Sequence, residues 1–454
     1  MKLCVIPIDN RPVCYNLVKD IIKIDDSIEL FIPPRNMLGG LKKNADIIGL
    51  YSWLCKLPKV DAMVVSLDTI AYGGLIPSRR SPESFNVIES RMNDFKEVLK
   101  SKNAKIYAVS SIMRISNNNY NEEEKEYWNK YGEYIFQYSY EKHKYAIDLG
   151  LEIPVRRLIP DYILNDYKQT RARNFSINKM YLKWQKEGLF DTLVFCKDDC
   201  AQYGYNVMEA EMLSKMGGEV ITGADEIPLA LISKAINSDL SVKTLYTEND
   251  STDLISNYED VSVKKSIENQ LKFAGITKSE EDEYADITLI INNFKSHQGE
   301  IVMKKETQEF SGELNIPDSP YMIADIRNAN GADNHFVNEF LKIFKYNNFY
   351  GYSAWNTTSN TVGSLLCCAK IKFNALKNGT YNESAFKKVQ MIRLLDDWAY
   401  QANIRQILTK PSNIQDMMKP YEDKVSEILN LQIKNEYNYP WNRLFEIEVE
   451  DELR

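Results

Sequence analysis

The stretch TLVFCKDDCAQYGYNVMEAE, residues 192–211, predicts a strand, a polar turn and a helix in that order. Its apolar run, residues 193–196, has the length and composition of a buried strand. Asp198 and Asp199 follow where that strand ends, and a helical pattern begins after Gly204. Functional groups of α/β proteins lie beyond the carboxyl ends of the strands. The two aspartates are therefore the first candidates for a site; a solvated loop in which Asp199 helps to begin the helix is the alternative.

Similar strands recur along the first half of the chain and alternate with helical patterns. This order predicts βα units and a largely parallel sheet. Right-handed crossovers then place the carboxyl ends of the strands on one edge, and a barrel and an open, doubly wound sheet both satisfy the pattern. The predicted strands cover residues 3–8, 28–32, 62–67, 105–110 and 219–222, and the longest predicted helices cover residues 121–149 and 162–187.

The character of the sequence changes after residue 237. A second α/β region has predicted strands at residues 242–246, 287–291, 322–325 and 349–353, and the pattern then becomes helical. The alternating FEIEVE near the end predicts an edge strand. We therefore predict an α/β protein with a βα-repeat domain at residues 1–237, a second α/β domain at residues 238–375 and a helical region at residues 376–454.

The composition argues against several classes of protein. The net charge of −8 over 454 residues is spread without a basic stripe, which disfavours a nucleic-acid partner. The apolar runs are shorter than the roughly 18 to 20 residues that span a bilayer, and the first one breaks at Asp9, so neither a membrane segment nor a signal peptide is predicted. Seven cysteines without a CxxC pair argue against a disulfide framework. We expect a reduced, cytoplasmic protein, and its oligomeric state stays open.

The three histidines are too scattered for a histidine-based zinc site. His143 lies in a charged helical stretch, and we expect it to be exposed. His297 and His335 have polar neighbours, and we expect each to be structural.

Two polar segments of the first half are candidates for ligand binding. Asp9-Asn10-Arg11 follows the first strand, and Arg11 offers a planar donor for a carboxylate or phosphate. The alternative is an ion pair that braces the turn. Asp68 with Tyr72-Gly73-Gly74 suggests a tight loop through which the backbone approaches a ligand. That loop lacks the pattern of a phosphate-binding P-loop, and its glycines are equally consistent with a simple turn.

Asparagines and aspartates crowd after two strands of the second half. Their carboxylates and amides suit the hydroxyl groups of a sugar, although the same residues are typical of turns. Trp355 offers an apolar platform of the kind that stacks on a pyranose ring, and its alternative is a core position. The residues of this group predicted to bind substrate are Asp325, Asn328, Asn330, Asp333 and Asn334 after one strand, and Trp355, Asn356 and Asn360 after the next.

Several of these segments resemble, in order, the signatures of the bacterial family called domain of unknown function 4127. The resemblance covers nearly the whole chain, but the family name implies no established activity. The sequence departs from the family where a small residue and a proline are expected after the two acids, since it has Cys200-Ala201-Gln202. The matching segments are PIDNRP, SLDTIAYGGLIPSR, FCKDDCAQYG, GADE, ADIRNANGAD, GYSAWNTTSNTVG and YPWNRLFEIE.

Paired acids favour a carbohydrate-active hydrolase, and in particular a glycosidase that needs no cofactor and acts on a small polar substrate. Asp198 and Asp199 are the predicted catalytic pair, and Asp225, Glu226 and Asp68 are alternative partners. Adjacent acids also occur in substrate-assisted hexosaminidases, a resemblance at the level of the motif. The residues predicted to bind hydroxyl or acidic groups of the substrate include Arg11, Arg114, Asn174, Asn330, Asn356 and Asn360.

Two other functions fit the same residues. A hydrolase or transferase dependent on magnesium or manganese would use only oxygen ligands, as hard cations prefer. A binding protein for a sugar or related metabolite would hold its ligand without turnover. The predicted metal ligands are Asp9, Asp68, Asp198, Asp199 and Asp225.

Overall fold

The computed structural model describes residues 1–149, 153–198, 200–279 and 285–451. Asp199, one of the two predicted catalytic acids, lies outside these residues. The chain forms two compact units, and the first comprises Met1–Tyr15 with Glu29–Pro228. The second comprises Asn16–Ile28 with Leu229–Arg454. The predicted α/β class is confirmed in both.

The described residues of the first unit form an open, wholly parallel sheet of six strands. Their order is β2-β1-β3-β4-β5-β6, so β2 and β6 are its edges. This is a doubly wound arrangement and not a barrel. Every residue of β3 and of β5 is buried, as expected for parallel strands covered on both faces. The strands are β1 (Lys2–Ile6), β2 (Glu29–Phe31), β3 (Ala62–Ser66), β4 (Lys105–Ile112), β5 (Thr192–Lys197) and β6 (Glu219–Thr222).

Helices follow the strands of the first unit. The long helix predicted from residue 121 begins only at Trp128, because residues 121–127 form a turn in which Glu123 and Glu124 contact arginines of other elements. The helices are α2 (Ile47–Lys56), α3 (Leu67–Ala71), α4 (Leu75–Arg80), α5 (Phe85–Lys102), α6 (Trp128–Leu149), α7 (Asp161–Lys186) and α8 (Tyr205–Lys215), and α9 (Ile227–Ala235) begins where the unit ends.

The described residues of the second unit form a smaller parallel sheet with the order β13-β11-β9-β7-β8. Three of these five strands, β9, β11 and β13, have every residue buried. Two short pairs accompany it: β10 with β12, and the antiparallel β14 with β15, which contains the predicted edge strand. The strands are β7 (Ser241–Tyr246), β8 (Thr277–Lys278), β9 (Ile287–Asn292), β10 (Gly299–Glu300), β11 (Tyr321–Asp325), β12 (Asn328–Ala329), β13 (Phe349–Ser353), β14 (Asn435–Asn438) and β15 (Glu448–Asp451).

The C-terminal part is helical, as predicted, and it contains a π-helix, Leu394–Asn403, directly after an α-helix. A π-helix of this length is rare, because π geometry occurs mostly as single turns. Among the described residues, no helix is both long and apolar enough to cross a membrane. The α-helices of this unit are α1 (Asn16–Ile22), α10 (Val263–Phe273), α11 (Asn334–Lys342), α12 (Thr358–Asn378), α13 (Glu383–Arg393) and α14 (Gln415–Leu429).

Candidate functional site

One buried guanidinium, that of Arg11, joins two carboxylates at the carboxyl edge of the first sheet. Its Nε and Nη2 atoms donate to Asp9 Oδ2 at 2.9 and 2.7 Å. Its Nη1 atom donates to Asp225 Oδ2 at 3.1 Å, and its Nη2 atom donates to the other oxygen of Asp225. The ion pair that was the alternative prediction for Arg11 is therefore present. Because Asp9 follows β1 and Asp225 follows β6, the ion pair joins the segments that follow these two strands.

Burial raises the pKa of Asp225 above its usual value, although the ion pair with Arg11 lowers it. Repulsion from Asp198 and Asp9 raises it further. One guanidinium thus compensates two carboxylates, so protonation of Asp225 removes a charge that is costly to bury. Burial thus raises the pKa of Asp225 even though both of its oxygens accept hydrogen bonds from Arg11.

Asp198, at the end of the neighbouring strand β5, has different surroundings. Its Oδ2 accepts from Arg79 Nη2 and lies 3.8 Å from Arg114 Nη1. The side chain of Asp198 is 16% exposed, whereas that of Arg79 is 1% exposed. Asp198 is therefore a partly accessible carboxylate held by arginines. The backbone N–H of Gly223 donates to Lys197 O at 2.9 Å, which connects the segments that carry the two aspartates.

Arg79 and Arg114 share a second pair of acids, Glu123 and Glu124. Arg114 donates to Glu124 at 3.1 Å and to Glu123 at 2.8 Å. Arg79 lies 3.3 to 3.4 Å from the same two carboxylates. The three acids around these two arginines form a network in which each charge has a partner of opposite sign.

Asp68 lies behind this network, in the first turn of α3. Burial raises its pKa to about 6, although hydrogen bonds from Ser111 and Ser110 lower it. The Ser111 N–H donates to Oδ2 at 2.7 Å, and the Ser110 hydroxyl lies 3.3 Å from Oδ1. Asp68 is only 1% exposed, and it holds the end of β4 through the hydrogen bond from the Ser111 N–H.

The loop with the two glycines approaches other backbone of the first unit. Gly73 has φ of 92°, and a Cβ there would lie 2.8 Å from the Cβ of Asn44. Gly74 has φ of 133°, a region that favours glycine. The neighbouring Tyr72 is buried under the guanidinium of Arg173. These contacts explain why the loop has two glycines and a buried tyrosine, and they involve no ligand.

Three further predicted residues of the first unit have contacts within the protein. Asn174 donates to Ser78 O at 2.9 Å and accepts from Arg173, so its amide joins α7 to α4. The N–H of Asn10 donates to Gly39 O at 3.0 Å. Glu226 is buried immediately before α9. The roles of Asn174 and Asn10 in substrate binding, and of Glu226 as a catalytic partner, stay predictions.

Arg327 is the centre of the carboxyl edge of the second sheet. It is completely buried and donates to Asn292 at the end of β9 at 3.1 Å and to Glu248 after β7 at 2.9 Å. It also donates to Gln308 O at 2.9 Å and lies 3.3 Å from Asp333 Oδ2. The guanidinium thus connects segments that follow three strands.

Asp325, the last residue of β11, accepts from Asn292, from the N–H of Asp333 and from the hydroxyl of Tyr352, at 2.8, 2.8 and 3.2 Å. Burial raises the pKa of Asp325 to about 7, and repulsion from Asp333 contributes. Asp333 itself caps α11 by accepting from the N–H of His335 at 2.9 Å. Both predicted acids therefore also hold the backbone of the loop.

The other predicted residues of the second unit divide into turn, core and accessible positions. Asn330 and Asn356 have φ near 60° and are joined by a backbone hydrogen bond of 2.8 Å, which is the turn chemistry named as their alternative. Trp355 is 2% exposed and packs on Phe445, so neither face of its ring is accessible as a sugar platform. Asn360 is buried in the first turn of α12. Asn328 and Asn334 line a cavity.

The sequence reasoning did not select Arg79, Glu123, Glu124 or Arg327. Arg79 lies at the end of the quoted segment SLDTIAYGGLIPSR, 13 residues after the strand that ends at Ser66, and nothing in the sequence marks it as part of the site. The expectation that His143 is exposed is wrong. Its side chain is 9% exposed, and its Nδ1 accepts from the N–H of Gly204 at 3.0 Å.

The predicted metal ligands are not gathered in the described part of the chain, where no cluster of three or more His, Cys, Asp or Glu side chains has the geometry to hold a metal ion. Asp9, Asp198 and Asp225 each bind an arginine there.

Comparison with known protein families shows which family the chain belongs to. The family model described as "Protein of unknown function (DUF4127)" matches residues 3–450. The chain belongs to this family. No curated protein matches it. The DUF4127 assignment brings no activity with it, so the two carboxylates at the edge of the first sheet carry the functional argument.

Proposed function

We propose that the protein is a carbohydrate-active hydrolase, a glycosidase, in which Asp225 donates the proton and Asp198 acts as the ionised partner. One observation carries the proposal: two carboxylates follow neighbouring strands, and the side chain of Asp198 is more exposed than that of Asp225, at 16% against 10%. Asp225 is buried with a raised pKa, whereas Asp198 is partly accessible and paired with Arg79. A pair of titratable groups in contrasting surroundings is the pattern by which acid and base roles are divided.

Glycoside hydrolysis needs these two roles. The acid protonates the oxygen of the leaving group, while the carboxylate either attacks the anomeric carbon or activates a water molecule. Arg11 orients Asp225 through both of its oxygens, and Arg79 orients Asp198. The proposal therefore replaces the predicted Asp198 and Asp199 pair by Asp198 with Asp225, which the sequence had offered as an alternative partner.

The test is turnover by the purified protein on a panel of aryl glycosides, with and without a chelator. On glycosides whose leaving group needs a proton, Asp225→Asn and Asp198→Asn should each lower turnover by about 10²- to 10⁴-fold. The matched control is Asp191→Asn, since Asp191 lies immediately before β5, at the end of the strand opposite to Asp198. This variant should keep wild-type turnover.

Each outcome discriminates among the three functions. Chelator-insensitive turnover lost in both site variants supports the glycosidase. Turnover abolished by chelator and restored by magnesium or manganese contradicts it in favour of the metal-dependent enzyme. A folded protein that binds a sugar and cleaves none of the panel contradicts it in favour of a binding protein.

A further inference from the structure

The second unit contains a cavity of about 710 Å³ on the side of Arg327 and Asp333. Its size falls in the range of small-molecule sites. We propose that this cavity is a separate binding site for an uncharged, polyhydroxylated small molecule such as a sugar or a cyclic polyol. The proposal concerns binding alone and does not depend on the glycosidase activity proposed for the first unit.

The position of the cavity is that of a ligand site in a doubly wound sheet. The strand order β13-β11-β9-β7-β8 reverses between β9 and β7, and ligands of such sheets bind beyond the carboxyl ends near this switch. Arg327 binds Asn292 and Glu248, which stand at the ends of those two strands, and it lines the cavity. The cavity thus adjoins the switch point.

The buried charges that face the cavity are already compensated within the unit. Arg327 lies 3.3 Å from Asp333 and donates to Glu248 at 2.9 Å. Glu300 accepts from Asn330 Nδ2 at 2.6 Å and from the N–H of Val302 at 3.3 Å. A charged ligand would have to compete with these partners, and a charge left without one is costly. A hydroxyl group, which both donates and accepts, adds hydrogen bonds without breaking an ion pair.

The side chain of Asn334 is oriented for such a ligand before it binds. Its Oδ1 accepts from Trp398 Nε1 at 2.9 Å and from Asn403 Nδ2 at 2.8 Å. The two donors fix the amide through its oxygen, so Nδ2 is the group with which Asn334, a residue of the cavity lining, would donate to a ligand. Both Trp398 and Asn403 belong to the π-helix, and the next residues along the chain contribute Gln406 to the same wall.

The side chain of Asn328 has room at the cavity because the residue opposite it, Gly299, has no side chain. A Cβ on Gly299, its partner in the β10–β12 pair, would lie 2.0 Å from Asn328 Oδ1. Glycine therefore leaves the space that this amide occupies. A Gly299→Ala substitution would displace Asn328 without removing it.

The test is saturation-transfer NMR and calorimetric titration of the full-length protein. The probes are glucose, N-acetylglucosamine and myo-inositol, compared with glucose phosphate and glucosamine. At least one neutral probe should bind saturably and more tightly than its charged counterpart. Asn334→Asp keeps the acceptor for Trp398 and replaces the donor, so it should weaken binding about tenfold, as should Gly299→Ala.

Two controls separate this site from the first unit. Lys342→Ala changes an exposed residue at the other end of the helix that begins at Asn334 and should bind normally. Asp198→Asn changes the proposed site of the first unit, and a saturable site for the neutral probe should remain in this variant. Tighter binding of the charged probes, no saturable binding of any neutral probe, or unchanged affinity in folded Asn334→Asp and Gly299→Ala would each overturn the proposal.

Discussion

At the scale of the residue, Arg79 is a buried cation that pairs with three acids near the carboxyl edge of the first sheet. Its buried guanidinium contacts Asp198, Glu123 and Glu124, so its removal takes a cation away from three carboxylates, which then keep Arg114 as a partner among the described residues. Breaking a buried ion pair from one side costs about 3 to 5 kcal/mol. The neighbouring Arg80 instead reaches an exposed carbonyl, that of Glu122.

We therefore predict that Arg79→Met lowers the free energy of unfolding of the first unit by about 3 kcal/mol or more. Arg80→Met, which removes the same charge one residue along, should change it by less than about 1 kcal/mol. Urea unfolding followed by circular dichroism measures both. Equal midpoints for the two variants would show that the buried network does not stabilise the unit.

Asp68 gives the first unit a pH dependence whose sign follows from its raised pKa of about 6. In the folded state it binds a proton more tightly than in the unfolded state, so stability falls as the pH rises from about 4 through about 6 and is constant above. Asp68→Asn removes this contribution, which is on the order of 2 to 3 kcal/mol. Urea midpoints between pH 4 and 7 should fall less in the variant, and parallel slopes would contradict the prediction.

At the scale of the element, the π-helix connects two loops of the second edge. Asp397 Oδ2 accepts from the N–H of Ala354 after β13 at 2.7 Å, and its backbone O accepts from Ala332 after β11 at 3.0 Å. Asp397 is completely buried, with a pKa that burial raises to about 6 although the nearby Arg393 lowers it. The π-helix therefore fixes the segments around the cavity.

We predict that Asp397→Ala destabilises the second unit by about 1 to 3 kcal/mol, because the buried N–H of Ala354 loses its acceptor. Asp397→Asn retains an oxygen acceptor and should cost less. Hydrogen exchange at Ala354 reports the bond directly, and it should accelerate in the alanine variant only. Equal exchange rates in both variants would contradict this role.

The strands show what the sequence can predict and why. Residues 219–222 and 349–353 are strands with the predicted bounds, because short apolar runs between polar turns leave few alternatives. The π-helix was not predicted, since ten residues of helical pattern do not distinguish π from α geometry. Arg79 and Arg327 were missed because their partners are distant in sequence, and only the sheet order brings them together.

At the scale of the whole molecule, the chain leaves the first unit after Tyr15 and returns to it at Glu29. The intervening helix α1 packs on α12 and α13 of the second unit through an apolar face. Asp25 accepts from the hydroxyl of Thr380 at 2.7 Å. The sequence predicts that such a helix buries one face, but it does not predict which sheet lies next to that face. Residues 16–28 were therefore predicted to belong to the domain at residues 1–237.

We predict that Ile21→Asp, which places a charge in the apolar face of α1, destabilises the second unit and not the first. Hydrogen exchange followed by mass spectrometry should show faster exchange in α12 and α13 and unchanged exchange in β3 and β4. Lys23→Asp, at an exposed position close by, is the control. Loss of protection in β3 and β4 instead would contradict the assignment of α1 to the second unit.

Because Asp225 and Asp198 have different proposed roles, their substitutions should differ in how the rate depends on the leaving group of the substrate. A glycoside with a dinitrophenyl leaving group needs no proton, whereas a methyl glycoside does. We predict that Asp225→Asn retains kcat/KM on the dinitrophenyl glycoside within about tenfold and loses activity on the methyl glycoside. We predict that Asp198→Asn loses activity on both glycosides. Equal losses on the two substrates in Asp225→Asn would show that Asp225 does not donate the proton.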